Sequence, residues 1–422
     1  MINSTFRLRW RCAKAITIDN ANMGKSLFAL FSDISDYRCL RRSNYELAFM
    51  LTTLVIAFLA GHTSTYQAVT WMHTPAALAL FASFDISFSK GHVPSYDTYA
   101  RMLRKLDHEE LALEFTNWMN CILLPANIHM AIDGKGLVGA TERIKGKKTP
   151  YVLNVVETTT GLTIASIPIQ EKTNEIKAIP EILAWITICS NMISIDAIGT
   201  QAEIIQTILK EQGDFLLLVK RNNPEAYDSI IEYFESNRSD YEAAKRKNAS
   251  KSQSDTPDSA MEDESSFKNF KFGEWHCEKN RERMEYRRCA VFDLDAECNN
   301  EDTILGVLGA TSSLGKMDGC FKTVAMYEGV RIPLEQDEEG NDITPSLKEF
   351  LKNGSRKKPN PKTGDDETCD IYKIGIVSSR VLSPDEVIAI KRLHWSVLCE
   401  ASSNANKLKM SLLYKTRRLK IA

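Results

Sequence analysis

The chain has 422 residues, 43% of them hydrophobic and 26% charged, which is typical of a globular protein able to bury about two or three cores. It carries 53 basic and 55 acidic residues, so the net charge of -2 excludes a global positive field, and any nucleic-acid contact must use local basic patches. Ten cysteines occur without a CxxC pair, which argues against a zinc ribbon or a disulfide framework and favours a reducing cytoplasm.

The N-terminal part predicts a leader followed by helices. Residues 1–30 begin with basic residues but have no apolar core or cleavage site, so they are a poorly specified leader and not a secretion signal. In residues 31–125, apolar residues recur at three- and four-residue spacing in four runs, which predicts an α-helical N-terminal domain. Its most apolar run, residues 47–60, is shorter than the roughly 20 residues of a membrane span. We therefore expect a buried helix and no membrane association.

Residues 126–236 predict a core of strands and helices. The runs IHMAID, YVLNVVET and LTIASIPI are short and rich in β-branched residues, and Thr159-Thr160-Gly161 predicts a hairpin turn between the last two. The runs that follow predict helix, strand, helix, strand and helix. The whole succession is that of an RNase H-like α/β sheet.

Residues 237–370 interrupt this alternation and predict a β-rich insertion with disordered loops. Residues 245–266 are poor in apolar residues and predict a flexible loop, whereas MEYRRCAVFDLD and TILGVLGATSS predict strands. Residues 371–398 predict a return strand and a final core helix, and residues 399–422 form a divergent tail. The predicted fold is therefore an α/β, RNase H-like mixed sheet with a β-rich insertion, preceded by an α-helical N-terminal domain.

Two aspartates are each the lone acid on an apolar run that predicts a strand. Asp133 in MAIDGKG and Asp196 in MISIDAIGTQ are both expected at a strand end, where ligands gather in open α/β sheets. Two carboxylates about 4 Å apart repel by roughly 4 kcal/mol at an effective dielectric constant near 20, and a divalent cation bound between them would offset this repulsion. Oxygen ligands favour Mg²⁺ or Mn²⁺. The alternative from these residues alone is that one acid caps a helix and the other forms a salt bridge.

Several longer sequence segments resemble those of a known protein family. They are PSYDTYARML, AIDGKGLVGA, EKTNEIKAIPEIL, ISIDAIGTQ and GDFLLLVKRNNPE, followed by the weaker matches RMEYRRCAV and RLHWSV. Through them the chain from Phe31 to Trp395 resembles the ISAs-type, H-repeat-associated transposases, a branch of the DDE transposase superfamily. The resemblance implies a cytoplasmic, nucleoid-associated bacterial enzyme that binds the terminal inverted repeats of its element. It further implies Mg²⁺- or Mn²⁺-dependent cleavage and transfer of DNA strands, and a homo-oligomer in the active state.

The resemblance also implies roles for individual residues. Asp133 and Asp196 become the first two catalytic acids and the metal ligands. The candidate DNA contacts are Lys135, Gln201, Lys220, Asn222, Arg283 and Arg287. Lys135 could equally be a solvated turn lysine and Gln201 a helix cap, and the two arginines alternate with Glu285 on one strand face, as in a solvated ladder.

The third catalytic acid departs from the family pattern. The family has His-Trp-x-x-Glu, but the fifth place here is Leu398, and the nearest acid is Glu400, displaced by about 200° around a helix. His394 and Trp395 would then keep a packing role. The sequence leaves open an active transposase, one inactivated by loss of the C-terminal acid region, and a catalytically dead DNA-binding remnant. An unrelated two-carboxylate hydrolase such as a glycosidase is a further alternative, although no aromatic-lined platform supports it.

Overall fold

A computed structural model describes most of the chain. The described residues are 28–38, 43–88, 92–122, 127–136, 151–169, 175–251, 269–280, 283–294, 308, 314, 317, 320–336, 339, 344–353, 358–359, 366–367 and 371–400. Contacts divide the chain into two compact units, residues 1–187 with 396–422 and residues 188–395. The predicted leader up to residue 27 and the tail after residue 400 lie outside the described residues.

Besides a helical turn at residues 28–31, the described residues of the first unit form five helices before its first strand. They are α1 (Leu47–Leu59), α2 (Thr65–Met72), α3 (Pro75–Ser83), α4 (Tyr96–Lys105) and α5 (His108–Ile122). The sequence predicted only four, because α3 (PAALALFAS) is mostly apolar and shows no clear amphipathic period. Local signals start it instead, since Pro75 occupies its first turn and the Thr74 hydroxyl accepts a hydrogen bond from the Ala77 amide.

The most apolar helix is buried, as predicted. Of the 13 residues of α1, all but Phe49 and Leu59 are buried. Among the described helices, none is both long and apolar enough to span a bilayer.

Three antiparallel strands complete the first unit: β1 (His129–Gly136), β2 (Tyr151–Glu157) and β3 (Thr163–Ile169). Helix α5 packs against β3, and α6 (Glu175–Leu183) packs against β2 and β3. The prediction that Asp133 ends its strand is wrong. The ladder continues beyond Asp133, which pairs with Asn154, as far as the pair of Gly136 with Tyr151. Asp133 is therefore an inner strand residue, and Lys135 lies on the strand and not on a turn.

The second unit is built on a large mixed sheet in the order β4-β5-β12-β9-β8-β6, and β7 also pairs with β8. Its strands are β4 (Met192–Ile195), β5 (Asp214–Val219), β6 (Phe270–Phe272), β7 (His276–Asn280), β8 (Arg283–Asp293), β9 (Thr323–Pro333) and β12 (Ile371–Ser378). Strands β4 and β5 are parallel, whereas β5 with β12, β12 with β9, β9 with β8, and β8 with both β6 and β7 are antiparallel. The short strands β10 (Lys358–Pro359) and β11 (Asp366–Glu367) form a separate ladder.

The described residues in this part of the chain include four helices: α7 (Ala202–Lys210), α8 (Pro224–Lys251), α9 (Leu347–Asn353) and α10 (Pro384–Glu400). Val387 and Ile388 of α10 join a core cluster with Ile374 and Ile376 of β12. Gly375, between those two isoleucines, faces Ile230 of α8 instead. Because neighbouring strand residues point to opposite faces, α8 and α10 cover opposite faces of the sheet.

Helix α8 corrects the predicted loop, because it continues through residues 245–251, which the sequence predicted as flexible. Aromatic packing against the sheet stabilises the helix beyond its apolar start: Tyr233 stacks on Phe270 at 5.7 Å, and Tyr241 stacks on Phe272 at 4.6 Å. The predicted strand at 284–295 is confirmed as β8, whereas most of the one predicted at 303–313 lies outside the described residues.

Candidate functional site

Asp196 stands where the sequence predicted it, directly after a buried strand. It follows β4 and precedes a short 3₁₀ turn, Ala197–Gly199. Because β4 and β5 are parallel, their carboxyl ends meet at one sheet edge, and Lys220 follows β5 there. Its Nζ lies 2.6 Å from Asp196 Oδ1, and both side chains are about one-third exposed. The sequence named both residues as candidates but did not predict that they form an ion pair.

The ion pair keeps Asp196 ionised. Burial raises the pKa of its carboxyl, but the Lys220 charge and hydrogen bond, the Ala197 amide and the His394 ring lower it by more, and the result is a pKa below the usual value. An ionised carboxylate is the form that binds a hard cation.

Neighbouring side chains hold the turn that carries Asp196. Asn222 Nδ2 donates to the Ala197 carbonyl at 2.7 Å, and the Thr200 hydroxyl donates to the Leu218 carbonyl at 2.6 Å. Lys220 Nζ also lies 5.5 Å from the centroid of the Trp395 ring. Asn222 and Trp395 therefore both contact the immediate surroundings of the ion pair.

His394 has more than a packing role. It is 3% exposed, and its Nδ1 lies 2.8 Å from the hydroxyl of Ser194, which is buried on β4. Ser194 precedes Asp196 by two residues on the same side of the chain. The His-Trp motif thus contacts the strand and the turn that carry Asp196.

In the first unit, Asp133 and Lys135 are half-buried on β1. Sequence reasoning missed a further acid beside them, Glu175, the first residue of α6, which is only 4% exposed. A Cβ at position 134 would overlap Glu175 Oε1, so the Glu175 carboxylate fills the place of a side chain there. The available signal was an acid on the same helix face as the buried residues Ala178, Ile179 and Ile182.

The other predicted DNA contacts have varied environments. Gln201 is an exposed N-cap of α7 whose side chain makes no capping hydrogen bond. On β8, Arg283 Nε donates to Glu285 at 2.6 Å, and Arg287 pairs with both Glu285 and Glu278. The alternative left open by the sequence was a solvated ladder, but Glu285 is only 6% exposed, so these side chains form a partly buried, ion-paired row instead. The backbone of Glu400 ends α10, and its side chain lies outside the described part of the structure.

The carboxylate oxygens of Asp196 are the donor type that hard divalent cations prefer, and in this structure they pair with the Lys220 ammonium at 2.6 Å. Within the described ranges, no group of three or more His, Cys, Asp or Glu side chains is gathered as a metal cluster.

Several known proteins are similar to this chain. Residues 28–119 match the family model described as DDE_Tnp_1-associated. Over 212 residues the chain is 28% identical to "Putative transposase YncI" of Escherichia coli K12, which covers 50% of this chain and 84% of that protein. Over 203 residues it is 30% identical to "H repeat-associated putative transposase YhhI" of the same strain, which covers 46% of this chain and 51% of that protein.

The extent of these matches is limited. The chain spans about half the length of several curated relatives, 53% in the case of YncI from E. coli O157:H7. A solved piggyBac transposase synaptic complex with hairpin DNA aligns with 97% of this chain and 74% of its own, at 10% identity and a TM-score of 0.32. The chain is thus similar to H repeat-associated putative transposases over about half of its length.

Proposed function

We propose that this protein is a DDE-type DNA transposase of an insertion sequence, with Asp133 and Asp196 as its first two catalytic acids. The observation that carries the proposal is the ionised Asp196 at the edge of parallel strands β4 and β5, within the family string ISIDAIGTQ. The succession of elements from β1 to α8 supports an RNase H-like catalytic core in residues 126–236. We place it between a helical domain in residues 31–125 and an insertion in residues 237–370.

The chemistry follows from the acids and their neighbours. Bound Mg²⁺ or Mn²⁺ would activate the attacking water or DNA 3′-hydroxyl and stabilise the leaving oxygen of an in-line displacement. Asp133 and Asp196 would each supply carboxylate oxygens to these cations, and the turn fixed by Asn222 orients Asp196. The ammonium of Lys220, which is one-third exposed beside Asp196, is placed to contact a DNA phosphate. Lys135 and Gln201 are further candidate DNA contacts, whereas contacts by Arg283 and Arg287 would require their ion pairs to open.

The partner is duplex DNA with the terminal inverted repeats of the element, bound by a homo-oligomer. The test incubates the purified full chain with such a duplex and Mn²⁺. Asp133→Asn and Asp196→Asn should each reduce strand cleavage by at least about a thousandfold, and the double variant should be no worse, because residues that act as one unit are not additive.

Asp214→Asn is the matched control. Asp214 lies at the opposite end of β5, and its carboxylate pairs with Arg380 at 2.5 Å. Cleavage should survive this change. Cleavage by the wild type that persists in both Asp133→Asn and Asp196→Asn would overturn the proposed function.

A second candidate is a DNA-binding remnant without catalysis, which the leucine at position 398 favours. This candidate predicts binding to element ends that is unchanged by chelator and by Asp133→Asn, with no cleavage in Mn²⁺. Metal-dependent nicking by the wild-type protein would eliminate it.

A further inference from the structure

The Lys220 ammonium is bound to the carboxylate that Asp196 would offer to a metal ion. Its Nζ lies 2.6 Å from Asp196 Oδ1, and both side chains are about one-third exposed where the parallel strands β4 and β5 end. A hard cation binds a carboxylate through the same oxygens that accept a charged hydrogen bond from an ammonium. The ammonium and a metal ion therefore compete for one side chain.

The second oxygen of Asp196 does not remove this competition. A divalent cation at Oδ2 would lie close to the ammonium at Oδ1, with one negative charge between them, and like charges repel strongly at short distances in a partly buried site. Within the described ranges, no cluster of three or more His, Cys, Asp or Glu side chains is available to offset this repulsion. Metal binding and the ion pair are thus opposed.

The turn that carries Asp196 is held by bonds other than the ion pair. Asn222 Nδ2 donates to the Ala197 carbonyl at 2.7 Å, and the Thr200 hydroxyl donates to the Leu218 carbonyl at 2.6 Å. Neither bond involves the ammonium. Asp196 can therefore keep its place on the turn when the ammonium leaves.

Lys220 also has a second interaction site within reach. Its Nζ lies 5.5 Å from the centroid of the Trp395 ring, which is 39% exposed. Because a lysine has a flexible four-carbon stem, the ammonium can leave the carboxylate and stay near the ring, facing solvent. A phosphate of bound DNA would attract the ammonium there, since lysine–phosphate contacts supply much of the affinity of proteins for DNA.

We propose that Lys220 is a built-in competitor for the metal ion at Asp196, and that a DNA phosphate removes this competitor. The free protein then binds metal weakly at Asp196, and the DNA complex binds it more tightly. By thermodynamic linkage, the metal strengthens DNA binding by the same factor. This inference rests on the function proposed for Asp196 and adds to it that DNA and metal bind cooperatively.

The first test measures Mn²⁺ binding to the full chain without DNA, by electron paramagnetic resonance of free Mn²⁺. Lys220→Met should tighten binding by at least about tenfold, which lies within the usual range for coupling between two ligands. Adding Asp196→Asn to Lys220→Met should abolish this gain, because the gained affinity belongs to that carboxylate. Lys220→Arg keeps the positive charge and should bind Mn²⁺ as weakly as the wild type.

Lys373→Met is the matched control. Lys373 is another partly exposed lysine of the second unit, and its ammonium pairs with Glu235 of α8. The change removes the same charge from the sheet, so Mn²⁺ binding that stays at the wild-type level excludes an effect of net charge. Mn²⁺ should also raise the melting temperature of Lys220→Met more than that of the wild type, because a ligand stabilises the folded state according to its affinity.

The second test measures the linkage with DNA. Fluorescence anisotropy of a labelled duplex with the end of the element gives its affinity for the protein in Mn²⁺ and in chelator. Mn²⁺ should strengthen wild-type binding by at least about fivefold. The effect should be smaller in Lys220→Met, because that chain has no ammonium for the metal to displace.

Three outcomes separate the hypotheses. If Asp196→Asn leaves the Mn²⁺ binding of Lys220→Met unchanged, the metal-binding role proposed for Asp196 and the inference both fail. If Asp196→Asn weakens binding but Lys220→Met binds Mn²⁺ no more tightly than the wild type, or its duplex affinity responds equally to Mn²⁺, the inference is overturned while the proposed function stands. Tighter Mn²⁺ binding in Lys220→Met but not in Lys373→Met, with a smaller Mn²⁺ effect on duplex affinity, supports the inference.

Discussion

At the scale of single residues, buried polar groups in this protein are held by specific partners. Tyr99 of α4 is fully buried, and its hydroxyl lies 2.8 Å from the hydroxyl of Thr53 on α1. Thr53 also approaches the carbonyls of Phe49 and Met50, so it keeps an acceptor when Tyr99 is changed. The bond therefore joins two helices of the first unit.

Tyr99→Phe should lower the free energy of unfolding by about 1 kcal/mol, because it removes one buried hydrogen bond without leaving Thr53 unpaired. Urea unfolding of Tyr99→Phe, Thr53→Val and the double variant gives a double-mutant cycle that measures the coupling energy of the two hydroxyls. A coupling energy near zero would show that the two hydroxyls contribute independently.

Lys391 predicts a pH dependence of stability. It is 6% exposed on α10, and its Nζ lies 3.8 Å from the ring centroid of Tyr327 on β9 and 5.7 Å from that of Tyr372 on β12. Burial lowers its pKa to about 7, with further lowering by Lys220, Arg287 and Arg331 that Asp196 partly opposes.

The sign follows from proton uptake. Between pH 7 and the ordinary lysine value of 10.5, the unfolded chain binds more protons at this residue than the folded chain. The cost of burying the ammonium is therefore fully present below pH 7 and is relieved as the pH rises, by at most about 1.4 kcal/mol per pH unit. Relative to Lys391→Met, the wild type should gain stability from pH 7 to pH 9 in urea unfolding. Parallel stability curves would contradict the prediction.

The residues of the site could be predicted better than their contacts. Asp196 and Lys220 were both identifiable from their strings, but their ion pair depends on the parallel register of β4 and β5. Glu175 escaped notice because an acid in a first helical turn is normally solvated. Its burial depends on the packing of α6 on β2 and β3, which no local pattern reveals.

At the scale of elements, helix α10 is fixed at its start by a reciprocal cap. The Ser383 amide and hydroxyl donate to Glu386 Oε2 at 2.7 and 2.8 Å, and the Glu386 amide donates back to Ser383 Oγ at 3.3 Å. Ser346 and Glu349 form the same arrangement at α9. The two caps therefore permit a matched comparison.

Ser383→Ala should cost about 1 kcal/mol of stability and speed amide hydrogen exchange in the first turns of α10, because the cap satisfies otherwise open backbone groups. Ser346→Ala should have its exchange effect confined to α9. Unchanged exchange in α10 of the Ser383 variant would contradict the assigned role of the cap.

The sequence predicted most elements correctly where the hydrophobic period was clear, as for β2, β3, β8 and β12. It failed where tertiary partners decided the outcome. Strand β1 extends through two glycines because β2 offers a complete ladder, and α8 extends through a polar stretch after its aromatic residues pack on β6. Helix α3 was missed because its apolar residues show no period.

At the scale of the whole molecule, positive charge is largely balanced within the described structure. The net charge is -2, and several basic side chains of the second unit are paired, for example Arg288 with Glu328 and Arg380 with Asp214. Composition correctly excluded a global positive field. Which cations are neutralised depended on strand register, for example on the position of Glu285 between Arg283 and Arg287.

This distribution of charge predicts how the affinity for DNA depends on salt concentration. Each phosphate contact adds about 0.9 to the slope of log K against log salt, so the slope counts the cations that contact DNA. With chelator present, Lys220→Met should reduce the slope by about one unit, because its ammonium is one-third exposed at the edge that carries Asp196. Arg287→Gln should leave the slope unchanged and lower the melting temperature instead, because Arg287 is 12% exposed and paired with two glutamates. A one-unit loss of slope in Arg287→Gln would show that the ladder opens toward DNA, and the proposed DNA surface would then extend along β8.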